Sequence, residues 1–217
     1  MTPLRVTARL AGVICLPTYP LALDALLAYA VCVRDGIQPA TLPSELVDVE
    51  VPLQRSACGA FHLASCGAYK LERAELRHIH KRAPIEQYQA IGGDKIKRVM
   101  ITAGPNKSYR IPLETKHLVN DTIEWWCVGD AEQIESLLSL IHYLGKRRGV
   151  GLGRVSKWTI EAMGPRQLWE GFPVVRSGKP LRNLPPDWPG LVDPECAYAN
   201  LTYPYWVGAT EQLCAVP

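Results

Sequence analysis

Leu4, Val6, Ala8 and Leu10 alternate with Arg5, Thr7 and Arg9. A period of two in side-chain polarity describes a strand with one buried face. The chain must therefore supply apolar cover for that face, and it does so twice. Leu23, Leu26, Leu27 and Ala30 recur at helical spacing, and Gly36 follows as a helix stop. Ile134, Leu137, Leu138 and Ile141 mark a second apolar helix face. Asp130 opens that helix as N-cap, with Gln133 three residues on, and the helix is expected to run to near Gly145. Further strands are expected at Val47–Val51, at Ala60–Cys66, at Thr122–Val128 with Trp125 and Trp126, and at Val155–Ala162. The halves read β-α-β-β and β-α-loop-β. This predicts an α+β, ferredoxin-like β-α-β-β-α-β core.

Between the halves, residues 68–120 read as a basic insertion within a single domain spanning 1–217. The run KLERAELRHIHKR is polar and rich in helix formers, so a helix broken at Pro84 is expected there. KIKRVMITA and SYRIPLE flank the turn GPNKS, which predicts a basic hairpin over residues 95–115. The tail, residues 164–217, holds nine of the 18 prolines and three of the six tryptophans. Such a tail cannot be regular helix. An extended arm packed over the core is expected. The alternative is a docking surface for another protein anchored by Trp188, Tyr203, Tyr205 or Trp206.

Composition excludes several classes. No apolar run reaches the roughly 18 residues of a membrane span. The stretch Leu21–Val33 is short and contains Asp24, so no signal peptide is expected. The seven cysteines show no CxxC spacing, which points to free thiols in a reducing cytoplasm and no structural metal. No DxD, HExxH or HD pair occurs, and no cofactor is expected.

The net charge of +3 hides a partition. Residues 67–116 carry +6, residues 142–157 carry +5 with no acid, and the remainder carries −8. Two basic zones on an acidic protein are a footprint for a polyanion. The second zone contains LGKRRGVGLGR, Leu144 to Arg154. Its glycines remove Cβ atoms and let backbone N–H groups approach phosphate oxygens. Its cations supply charge, and arginine adds forked hydrogen bonding. Gly149, Gly151 and Gly153 give GxGxG, but after a helix and before a strand, the reverse of the dinucleotide fingerprint. Gly145-Lys146 is followed by Arg147, so the segment is no P-loop.

A β-α-β half with GKRRxxGxGR before its last strand resembles the RAMP superfamily of CRISPR proteins. PLRVTARLAG, PLALDALLAYAV, KSYRIPLE, WWCVGD, YLGKRRGVGLGRV, PPDWPGL and the terminal CAVP resemble, more closely, the small subunit of type IV CRISPR effector complexes. The resemblance implies an RRM-related core, a thumb-like insertion and binding of the 5′ handle of the guide RNA (crRNA). It also implies contact with the large subunit and the repeating backbone subunit. It places the protein near the protospacer-adjacent motif (PAM) of target DNA and links it indirectly to an accessory helicase.

Carried onto this chain, Lys146, Arg147, Arg148 and Arg154 are expected to hold phosphates, and Gly149, Gly151 and Gly153 to allow close backbone approach. Arg73, Arg77, His80, Lys81 and Arg82 are expected to form a second contact surface. Lys95, Lys97, Arg98, Lys107 and Arg110 are candidates to track RNA or nearby DNA, and Tyr109 or Tyr88 to stack on a base. The expected protein is non-catalytic. The rival is a metal-independent endoribonuclease that processes precursor crRNA with Tyr69, Lys70, His78, His80 or His117.

Overall fold

The computed structural model describes residues 1–37, 49–81, 86, 102, 107–205 and 208–217. The alternating N-terminal segment is β1 (Thr2–Leu10), the centre of a three-stranded antiparallel sheet. Its neighbours are β4 (Thr122–Gly129) and β5 (Val155–Ala162), in the order β4-β1-β5. Register pairs Val6 with Trp125 and with Ile160, so the apolar positions of all three strands share one face. Two helices cover it: α1 (Leu23–Asp35) and α2 (Ala131–Leu138). Trp125 is fully buried, and its indole N–H donates to the Leu21 carbonyl at 2.7 Å. The protein is thus mixed α+β with antiparallel sheets.

The helices end for local reasons. Gly36 is left-handed at φ 68°, and Ile37 N–H returns to the Cys32 carbonyl. Asp130 caps α2 by accepting from the Gln133 backbone N–H at 3.0 Å. That helix is shorter than expected. The Ser139 hydroxyl donates to the Ser136 carbonyl, and tight bonds from Leu140 and Ile141 to residues three back close the last turn. Ile141 is still buried, but beyond the helix.

Three expectations are corrected. First, Val49 and Val51 lie in no strand, and Val47 lies outside the described residues. Second, the stretch expected as a strand at Ala60–Cys66 makes only isolated bridges, Ala64 with Cys127 and Cys66 with Ala22 among them. A local turn bonds Ala64 N–H to the His62 carbonyl, and the Ser65 hydroxyl takes the Trp126 N–H that a regular ladder would have used. Third, LERAELRHIHK is a strand and not a helix. β2 (Leu71–Lys81) pairs with β3 (Tyr109–Leu118) in a separate two-stranded sheet. Residues 71–81 therefore pair with SYRIPLE, and KIKRVMITA, the partner expected from sequence, lies outside the described residues apart from Thr102. Strand pairing overrides the helix propensity of these residues.

The tail forms two small hairpins, β6 (Val175–Arg176) with β7 (Lys179–Pro180) and β8 (Cys196–Ala199) with β9 (Gln212–Ala215). They enclose a second apolar cluster of Phe61, Val174, Val175, Leu184, Leu201, Cys214 and Ala215. Trp188 packs edge-on against Phe61 at 5.0 Å, so this ring is used internally. Trp206 lies outside the described residues.

One buried polar knot ties the tail to the core. Arg182 is 1% exposed and Asp24, in the first turn of α1, is 2% exposed. Arg182 donates to Asp24 at 3.3 Å, to the Ala64 carbonyl at 3.1 Å, and to the carbonyls of His62 and Leu201. The Tyr205 hydroxyl donates to Asp24 at 2.9 Å, and burial pushes that phenol well above its usual range. Removing one partner strands a buried charge. Arg182→Ala is expected to cost about 3–5 kcal/mol and to expose the tail to protease before the core. Urea unfolding with limited proteolysis checks this; a wild-type midpoint would contradict the assignment.

Candidate nucleic-acid interface

The glycine-rich segment is a closed lasso and not a free turn. Leu144 N–H bonds to the Gly153 carbonyl at 2.8 Å, and Val155 N–H bonds to the His142 carbonyl at 2.9 Å. These bonds form a stem, and Tyr143 bridges Arg154 across it. The tip turns at Arg147, which is left-handed at φ 61°, and at Gly151 at φ 85°.

The four glycines do different work. A Cβ on Gly145 would meet the Cys15 carbonyl oxygen at 2.4 Å, and one on Gly153 would meet the Leu144 carbonyl oxygen at 2.0 Å. Both also have positive φ. They serve the closure of the loop itself. Gly149 and Gly151 face open space, so they are the positions where backbone is accessible.

Lys146, Arg147, Arg148 and Arg154 are exposed. No carboxylate pairs with any of them among the described residues. Lys146 Nζ lies 3.4 Å from the Thr18 hydroxyl, and the Arg148 guanidinium sits 5.5 Å from the Tyr29 ring centroid. The cations are therefore steered by neutral neighbours and keep their charge available.

Val13–Cys15, the segment leaving β1, clasps the loop to the β2–β3 hairpin. On one side Lys146 N–H donates to the Cys15 carbonyl, and Gly153 N–H donates to the Val13 carbonyl. On the other side Ile14 and Lys116 of β3 exchange two backbone bonds, 2.7 and 3.1 Å. Beneath the clasp, Leu152 of the loop packs with Cys15 and Leu113 of the hairpin, with Val13 and Ile79 alongside. The two basic zones of the sequence are thus neighbours in space. Sequence reading missed this clasp. Its signal was Leu152, an apolar residue inside an otherwise basic, glycine-rich run.

Register sorts the hairpin candidates. Cross-strand partners share a face. Arg73, Arg77, Lys81 and Tyr109 lie on the face of Leu113, toward the loop. His80 and Arg110 oppose each other on the other face, with His78. Glu75 binds Arg73 at 3.0 Å and Arg77 at 3.1 Å, and Arg77 above all holds its carboxyl below the usual range. Exposed pairs of this kind hold weakly and exchange for a stronger anion. Lys81 stands 5.8 Å over the Tyr109 ring. Arg110 bonds to His78 Nδ1 at 3.1 Å. Desolvation, Arg110 and His80 together hold the His78 imidazole below its usual range. Lys107 is exposed just before β3. Arg82, Tyr88, Lys95, Lys97 and Arg98 lie outside the described residues.

Among the described residues no three His, Cys, Asp or Glu side chains converge as a metal-holding group. Burial pushes the Cys127 thiol up to about 12. No described helix is long and apolar enough to cross a membrane.

This geometry defines an α+β protein whose loop cations, free of carboxylate partners among the described residues, sit beside a two-stranded arm. The chain belongs to the family of the CRISPR type IV associated protein Csf3, whose family model matches residues 2–217. It is therefore a type IV CRISPR-associated subunit. No curated protein is similar enough in sequence to count as a relative.

The glycine geometry makes a stability prediction. Gly145→Ala and Gly153→Ala are each expected to destabilise by about 1–3 kcal/mol, and Gly149→Ala by no more than about 0.5 kcal/mol. Denaturant midpoints of the three variants check this. Equal midpoints would contradict the closed-loop reading.

Proposed function

We propose that this subunit binds the 5′ handle of the crRNA through the glycine loop and the loop-facing side of the β2–β3 hairpin. It does no chemistry of its own. The observation that carries the reading is the loop itself: Lys146, Arg147, Arg148 and Arg154, unpaired with carboxylates among the described residues, fixed beside a second basic element. Gly149 and Gly151 leave backbone open for a phosphate to approach. Arg73, Arg77 and Lys81 extend the cationic track, and Tyr109 offers a ring for a base.

The finer assignments rest on the resemblance of the loop and its flanking stretches to RAMP proteins. The order β4-β1-β5, with Ala64 and Ala68 bridged to the outer edge of β4, supports reading the core as ferredoxin-like and RRM-related. The hairpin is then the thumb-like insertion, and residues 164–217 the C-terminal arm. The large subunit and the repeating backbone subunit are the proposed partners, in the cytoplasm, at the end of the complex near the PAM. Target DNA lies within reach there, and the accessory helicase acts indirectly.

The rival, an endoribonuclease, needs His, Tyr and Lys about one bond. His78 and His80 lie on one face of the hairpin with ring centroids 6.1 Å apart, whereas His117 lies on the other against Glu75. That separation favours binding over cleavage. Incubating the protein with repeat RNA, without metal, is expected to leave the RNA intact. Site-specific cuts lost in His78→Ala would overturn the non-catalytic reading.

Salt dependence tests the binding. A single strand held through about five phosphates gives a log–log slope near −3.5. Replacing Lys146, Arg147 and Arg148 together by alanine is expected to flatten it to about −1.4 and to release the guide. Unchanged guide retention would sink the loop assignment.

A further inference from the structure

The clasp leads into a cleft that the loop and hairpin do not use. After Cys15 the chain runs through Thr18, which Lys146 touches, and then forms one wall of a cavity of about 660 Å³. An adjoining wall is Cys66–Tyr69, where Gly67 N–H bonds to the Leu21 carbonyl and the chain leads on into β2. The cleft therefore opens at the root of both basic elements. Its size is that of a site for a small organic group.

The lining has a definite chemistry. Tyr19 is 63% exposed and Tyr69 is 42% exposed, one on each of these adjoining segments. Large rings left in water at the mouth of a cavity are stacking surfaces in waiting. Pro17, Pro20, Pro180 and Pro194 also line it. They give rigid apolar walls and no N–H donors. Asp193 and Glu195, both exposed, line it too, and among the described lining residues Lys179 is the single cation. A phosphate is repelled by that carboxylate pair and drawn to the loop outside. A flat, neutral ring carrying N–H donors is suited to the interior.

We infer that this cleft receives a nucleobase of the RNA strand whose phosphates the glycine loop holds, stacked on Tyr19 and Tyr69 with its amino group toward Asp193 and Glu195. The inference rests on the RNA-binding reading above. Charge orients the nucleotide: the loop cations fix the backbone, and the carboxylates lining the cleft repel phosphate and admit the base. Acceptor-rich lining favours adenine, which presents an amino group, over uracil, which presents two carbonyls. The contact positions a base and reads it; it takes no part in any reaction.

The test uses the full chain and short oligo(A) and oligo(U) RNAs, with fluorescence anisotropy at several salt concentrations. The double variant Tyr19→Ala, Tyr69→Ala is expected to lose about tenfold in affinity for oligo(A) with an unchanged salt slope, because stacking releases no counterions. Tyr19→Phe with Tyr69→Phe keeps the ring faces and is expected to bind like wild type. Asp193→Asn with Glu195→Gln is expected to narrow the preference for oligo(A) over oligo(U). Wild-type binding by the double alanine variant, with binding lost in the Lys146, Arg147 and Arg148 triple variant, would overturn the cleft and leave the loop reading standing. Full binding in the triple variant would overturn the loop reading itself. If the double alanine variant keeps RNA but no longer co-purifies with its neighbouring subunits, the cleft docks protein and the inference falls. Should that variant fail to fold, ultraviolet crosslinking of wild-type protein to oligo(A) decides. Crosslinked peptides containing Tyr19 or Tyr69 support the inference, and crosslinks confined to the loop and hairpin overturn it.

Discussion

Arg182 brings a full positive charge into the interior, and the protein is arranged around satisfying it. A guanidinium out of water costs several kcal/mol unless its donors are met. Here they are met by the Asp24 carboxylate, the Tyr205 hydroxyl and the carbonyls of His62, Ala64 and Leu201. The two carbonyls from residues 62 and 64 are informative. The Leu63 carbonyl and the Ser65 N–H bond to β4, so the alternate residues face outward, where a further strand would ordinarily sit. Arg182 and the Leu181 carbonyl, which takes Cys66 N–H, occupy that edge. The tail thus closes the sheet with a side chain and one carbonyl where a ladder would have done so, and the edge is covered.

This explains what the sequence showed and what it hid. β1, β4, β5 and both helices were legible because each has one apolar face, and periodicity reports a face directly. Residues 60–66 were misread as a strand because a local turn interrupts their pairing with β4 and their outward carbonyls meet one arginine more than a hundred residues away, which no local pattern encodes. β2 was misread as helix from its composition. A better signal was present in the same letters. Arg73, Glu75 and Arg77 alternate in charge at a spacing of two, and one carboxylate reaches both arginines only when the chain is extended. Spacing of charges was the better guide there, and propensity the poorer.

The candidate interface was legible as chemistry and not as architecture. Charge counting found both basic zones, and glycine content found the loop. Their adjacency depends on Val13–Cys15 and on Leu152, residues with no charge and no motif. Lining up cations by sequence also hid the sidedness of the hairpin. Arg77 and Lys81 face the loop, but Arg110 turns away to His78. Tyr205, a candidate for gripping a partner, instead lends its hydroxyl to Asp24.

The stem of the loop has one more consequence. A glycine-rich basic segment left loose would have to be ordered at the moment of contact, at a cost of about 1–2 kcal/mol per residue fixed. Here Gly145 and Gly153 let the chain close on itself through the Leu144–Gly153 bond and the Cys15 carbonyl during folding. The shape of the grip is thereby preorganised, and a polyanion meeting it finds the backbone entropy already spent.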